Sequence, residues 1–138
     1  MTDSLNILAV IAYVAATALT IRWMGLAQTQ GKSDLKALRL VLAGGLLLHG
    51  SALVTILGAG DSPNLALGTT LSSVAWLIVV LFIVSSLRAP LTSLGILILP
   101  TAAIAVLVGW LYPGASHAPA LGSIAAKTHL LIAGLSYG

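Results

Sequence analysis

The chain has 138 residues, of which 59% are hydrophobic and only 7% charged, with a net charge of +3 and a mean hydropathy of +1.10. Soluble domains carry about 25% charged residues, and a soluble fold of this composition would expose a very large apolar surface. The composition therefore excludes a soluble protein and indicates an integral membrane protein of one domain. The lack of cysteine excludes disulfides, thiolate metal sites and a thiol nucleophile. The six basic residues report which loops face the cytoplasm and do not indicate a nucleic-acid partner.

The order of apolar segments predicts an all-α polytopic helix bundle in contact with the lipid bilayer. A bilayer crossing needs about 20 apolar residues, and four segments reach that length. The predicted helices span about residues 4–24, 35–57, 66–87, 91–112 and 128–138, within a single transmembrane domain over residues 1–138. Pro100 falls inside the fourth helix and predicts a bend there. The eleven residues of the last segment make only about half a crossing, so the chain is interpreted as an N-terminal fragment that contains four full helices and the start of a fifth.

The basic residues predict the orientation of these helices. They flank the first predicted loop (Arg22, Lys32, Lys36 and Arg39) and the third connection (Arg88), which the positive-inside rule places in the cytoplasm. The N-terminus then lies outside, and only Lys127 opposes this arrangement. All three histidines of the chain fall in its outer half in this topology: His49, His117 and His129.

His49 is the first candidate for chemistry, because it is the one ionisable residue within the apolar stretch 40–57. Imidazoles on two helices are standard axial ligands of haem iron, which makes His49 and His129 a candidate pair, with Lys127 as a possible contact to a propionate. Gly45, one turn before His49, would leave room for a flat macrocycle. The alternative is that His49 hydrogen-bonds a neighbouring helix through Ser72, Ser73 or a backbone carbonyl. The spacing of the residues leaves both interpretations open.

Other site chemistries find less support in the sequence. No serine has a base at a spacing that indicates a nucleophile, and there is no phosphate-binding glycine loop and no His/Asp/Glu metal motif. The sequence therefore predicts no catalytic residues, no enzyme activity and no metal apart from haem iron.

Several strings of the chain resemble the cytochrome c assembly protein family, and in particular its CcsA-related branch of HemX/YpjD-type inner membrane proteins. These strings are His49-Gly-Ser-Ala-Leu53, Asn64-Leu65 at the end of an outer loop, Ser72-Ser73 on the third helix, and the His129 to Tyr137 segment with its Ser136-Tyr137 pair. The resemblance runs from about residue 5 to the end of the chain. The chain differs from the haem-presenting members in having only three tryptophans, widely separated, in place of a tryptophan-rich outer motif.

The resemblance implies a haem-handling protein of cytochrome c assembly in the bacterial cytoplasmic (inner) membrane. His49 and His129 would be the haem ligands, close to the outer leaflet. The partners implied are other cytochrome c assembly proteins or further C-terminal helices. A small cofactor-free transporter, or a structural membrane subunit, is the alternative.

Overall fold

A computed structural model describes residues 2–25, 31–58, 66–88, 91–112, 128 and 132–133, without the side chains of residues 31–34. The described part of the chain contains four α-helices and one short 3₁₀ turn, and it has no strand. The helices are α1 (Thr2–Gly25), α2 (Gly31–Leu57), α3 (Leu67–Arg88) and α4 (Gly95–Leu111), the last preceded by the 3₁₀ turn Thr92–Leu94. The predicted all-α class is thus confirmed.

Each of the four helices is long and apolar enough to cross a membrane, with candidate spans of 20 to 24 residues. The ends lie within two residues of the predicted ones with two exceptions: α2 begins four residues earlier, at Gly31, and α4 begins four residues later, at Gly95, after the 3₁₀ turn. Pro100 lies inside α4, and the residues on both sides of it remain helical. Residues 128, 132 and 133 are also helical. The rest of the predicted fifth helix lies outside the described residues.

The four helices pack side by side as a ring. α1 contacts α2 and α4, α3 contacts α4, and the contact between α2 and α3 is the sparsest of the four. Five residues of α1 at alternating spacings of three and four are buried: Asn6, Ala9, Tyr13, Ala16 and Thr20. Such spacing places them on one face of a helix, so this stripe faces the other helices.

Small residues allow the helices to approach closely, as is common in membrane bundles. A Cβ atom placed on Gly109 of α4 would lie 2.9 Å from Cβ of Ser72 and 3.0 Å from the carbonyl oxygen of Gly68, both on α3. Near the opposite end of α4, a Cβ on Gly95 would lie 3.3 Å from Oγ1 of Thr20 on α1. Close contacts at both ends of α4 therefore hold it between α1 and α3.

The outer surface of the bundle is apolar. Leu40, Leu47 and Val54 follow one another at intervals of seven residues on α2, and each is at least 70% exposed. Two exposed hydroxyl groups donate to the carbonyl four residues earlier in their own helix: Ser51 to Leu47 and Thr101 to Leu97, each at 2.7 Å. Because lipid offers no hydrogen bonds, this internal pairing allows serine and threonine to lie on a lipid-facing surface.

Candidate functional site

His49 is completely buried at the centre of a hydrogen-bonded group that joins three helices. Its Nδ1 atom lies 3.1 Å from the hydroxyl oxygen of Tyr13 on α1. Its Nε2 atom lies 2.9 Å from Oγ of Ser72 on α3. We call these three residues the Tyr13–His49–Ser72 network. Both ring nitrogens have a partner, which meets the requirement that a polar group at this depth be hydrogen-bonded within the protein.

The periodicity of each helix brings these side chains together. Tyr13 belongs to the buried stripe of α1, and His49 lies on the core face of α2, seven residues after the buried Leu42. Ser72 lies on the buried face of α3. The rings of Tyr13 and His49 meet edge to face, with centroids 5.8 Å apart and planes at 80°. This arrangement suits aromatic rings and also directs the phenol hydroxyl towards the imidazole.

The glycines beside His49 are sites of close helix packing. A Cβ on Gly45 would lie 2.9 Å from Cβ of Ala12 on α1, so α1 occupies the space in front of this glycine. The expectation that Gly45 leaves room for a macrocycle is therefore wrong for this packing. A Cβ on Gly50 would lie 3.0 Å from Nε1 of Trp76 on α3. The same Trp76 nitrogen donates a hydrogen bond to the carbonyl oxygen of Leu46, at 3.0 Å.

The imidazole of His49 is chemically suited to ligate haem iron, but the space around its ring is not suited to a haem. A neutral imidazole that ligates through Nε2 carries its proton on Nδ1, which the Tyr13 hydroxyl oxygen could accept, as the outer partner of a ligating histidine commonly does. The Nε2 position, however, is taken by Ser72, and the flanking Gly45 and Gly50 are covered by neighbouring helices. The described packing therefore does not fit a porphyrin beside His49.

The other predicted site residues cannot be placed beside His49. These are His129 and Lys127, and both lie outside the described residues, as does His117. Within the described ranges, no group of three or more His, Cys, Asp or Glu side chains could hold a metal ion. The haem-ligand pair His49 and His129, and the propionate contact of Lys127, remain predictions.

Two residues of this site were not expected from the sequence, namely Tyr13 and Trp76. Each has a polar atom inside an otherwise apolar helix, and such an atom normally finds a partner when buried. The sequence therefore indicated that both polar atoms need a hydrogen-bond partner, but it did not indicate which helix would supply that partner. Thr69 extends the polar surface one turn beyond Ser72, and its buried Oγ1 has no hydrogen-bond partner among the described residues.

The site lies in the half of the bundle where α1 begins and α4 ends. At this end the indole nitrogen of Trp110 on α4 donates to a carboxylate oxygen of Asp3 on α1, at 2.8 Å.

Comparison with protein-family models, with curated proteins and with solved structures gave no match. Function has to be inferred from the residues of this chain.

Proposed function

We propose that this multi-pass membrane protein handles haem in cytochrome c assembly, binding or positioning it in the half of the bundle that contains His49. The proposal includes a bacterial inner membrane location with the N-terminus outside, other assembly proteins or further helices as partners, and no catalytic role. Its basis is the resemblance of the strings around His49 and His129 to that family. The buried imidazole of His49, held by hydroxyl groups alone, is the observation that supports it best.

The described packing leaves no space for a porphyrin beside His49, so haem binding there would require Nε2 to lose its contact with Ser72 and α3 to move away from α2. A serine hydroxyl is a neutral partner, and hydrogen bonds between membrane helices contribute only about 0.6 kcal/mol on average. Ser72 is also on α3, and the contact between α2 and α3 is the sparsest of the four in the ring. Tyr13, on the closely packed α1, would remain to orient the ring through Nδ1. When bound, haem would supply an iron centre for ligation by imidazole nitrogen.

A structural membrane subunit without a cofactor is the second candidate. The observation that favours it is the complete pairing of His49, whose two nitrogens each have a hydroxyl partner. In this case the Tyr13–His49–Ser72 network fixes the register of three helices, a role that buried polar residues also have in other helix bundles.

A spectral titration separates the two candidates. The full chain is purified in detergent and titrated with ferric haem, and the Soret band is recorded for the wild type and for His49→Ala, His129→Ala, Ser72→Ala and Ser73→Ala. Ser73 is the matched control for Ser72, because its hydroxyl donates to the Thr69 carbonyl of its own helix. We expect a band in the wild type that shifts or weakens in both histidine variants.

The two serine variants give the sharper result. Loss of Ser72 removes the group that competes for Nε2, so haem should bind about threefold more tightly, as expected for one hydrogen bond of this strength. Ser73→Ala should bind as the wild type does. A wild type with no haem-dependent band would refute the haem proposal and favour the structural subunit. An unchanged band in His49→Ala would remove this residue as a ligand.

A further inference from the structure

A groove between α2 and α3 lies at the end of the bundle opposite to the Tyr13–His49–Ser72 network. It has a volume of about 130 Å³. Its walls include Arg39, Leu42 and Ala43 of α2 and Phe82, Ile83 and Ser86 of α3. The volume is close to that of an engineered protein cavity of about 150 Å³ that binds benzene, so the groove can hold a short length of hydrocarbon.

The groove opens at the most basic part of the molecule. All four basic side chains that the structure describes lie at this end, on the last turn of α1 (Arg22), the first turns of α2 (Lys36 and Arg39) and the last residue of α3 (Arg88). The only carboxylate among the described side chains belongs to Asp3, at the opposite end. An anionic group would therefore be attracted to this end of the groove.

The side chain of Arg39 can reach the level where lipid phosphates are expected. The candidate span of α2 begins at Leu35, so Arg39 is four residues, or about 6 Å, inside it. A long arginine side chain at this depth can extend to the headgroup layer while its methylene groups remain in apolar surroundings. Its guanidinium group is well suited to bidentate hydrogen bonding with a phosphate.

The remainder of the groove is suited to an acyl chain. Leu42 and Ala43 lie one turn beyond Arg39 on the same face of α2, and Phe82 and Ile83 lie one turn before Ser86 on α3. A chain that enters beside Arg39 would thus run along apolar side chains towards the middle of the bundle. The Oγ atom of Ser86, at the groove wall, is buried and has no hydrogen-bond partner among the described residues.

We infer that this groove binds an anionic phospholipid of the surrounding bilayer, with the lipid phosphate on Arg39 and an acyl chain between α2 and α3. The lipid would fill part of the seam between α2 and α3, the sparsest of the four helix contacts in the ring. It would supplement the contacts that His49 and Trp76 make across the same seam in the other half of the bundle.

The experiment is native mass spectrometry of the full chain released from detergent with equal amounts of phosphatidylglycerol and phosphatidylcholine of matched acyl chains. The wild type should retain phosphatidylglycerol in preference to phosphatidylcholine. Arg39→Gln should reduce that retention by at least about tenfold, as expected for the loss of a hydrogen bond to a charged phosphate group. Lys36→Gln is the matched control, because Lys36 is a basic residue of the same helix that does not line the groove. It should change retention less than twofold.

A second variant tests the acyl-chain part without changing the charge. Ala43 is exposed, so Ala43→Leu should fold normally while its larger side chain fills the groove and lowers retention of the lipid. Circular dichroism and size exclusion report whether each variant is folded. Equal retention of the two lipids by the wild type would overturn the inference. It would also be overturned by an equal loss in Lys36→Gln and Arg39→Gln, by full retention in Ala43→Leu, or by displacement of the lipid with free glycerol phosphate.

Discussion

Gly44 and Gly45 are adjacent in the sequence but have different surroundings, so replacing each by alanine should have different effects on the stability of the protein. A Cβ atom on Gly44 would meet nothing within 4 Å. A Cβ atom on Gly45 would lie 2.9 Å from Cβ of Ala12 and 3.5 Å from a ring carbon of Tyr13. Real Cβ atoms essentially never approach another atom to less than 3.0 Å, so Gly45→Ala must push α1 and α2 apart.

The expected size of the difference follows from two contributions. Replacing a helical glycine by alanine stabilises a helix by up to about 1 kcal/mol, and this applies to both positions. Overpacking at Gly45 costs roughly 1–3 kcal/mol, and separating α1 from α2 also lengthens the contact between Tyr13 and His49. Gly44→Ala should therefore be neutral or stabilised, and Gly45→Ala should be less stable than Gly44→Ala by about 1–3 kcal/mol.

The assay is reversible unfolding of both variants in mixed micelles, with increasing denaturing detergent and helix content as the signal. Wild-type protein and Gly44→Ala serve as references, since all three chains differ by single methyl groups on neighbouring residues. Equal stability of the two variants would refute the close approach of α1 and α2 at Gly45. Equal stability would also indicate that the space beside His49 that a haem requires is open.

Three further predictions concern contacts across α3. Ser72→Ala should reduce the free energy of unfolding by about 0.6 kcal/mol, and by at most about 1.7 kcal/mol, because a hydrogen bond between helices is lost. Ser73→Ala should have a smaller effect. Both variants are measured by the same unfolding assay. Trp76→Phe removes the donor to the Leu46 carbonyl and should increase hydrogen exchange in the middle of α2; unchanged exchange would contradict the contact. Gly109→Ala should destabilise the protein by roughly 1–3 kcal/mol, because its Cβ would meet Ser72 at 2.9 Å, and a wild-type unfolding midpoint would contradict this close crossing.

The helices could be predicted from the sequence because length and hydropathy determine where a chain crosses a membrane. One clear difference is at the start of α2, where Gly31 to Asp34 are helical although they are polar. Hydropathy reports the part of a helix that contacts lipid, and a helix can continue beyond it into the headgroup layer. A prediction based on the first residue of the apolar stretch therefore placed the start of α2 four residues too late.

The site could be predicted only in part. Ser72 was among the possible partners of His49, because both lie on neighbouring helices at similar depth. Tyr13 was not, since the sequence gives no information on which face of α1 meets α2. Gly45 illustrates the limit most clearly: a glycine in an apolar helix predicts either an open space or a close helix contact. Only the position of Ala12 distinguishes the two.

The ring of helices also has a consequence for biogenesis. α1 and α2 are adjacent in the chain and can pack as soon as both have been synthesised, because synthesis proceeds from the N-terminus. The partners of α1 on its other side, Gly95 and Trp110, belong to α4 and are made last among the described helices. Until then that side of α1, including the carboxylate of Asp3, lies uncovered at the membrane. Insertion of α4 is thus the step that closes the bundle.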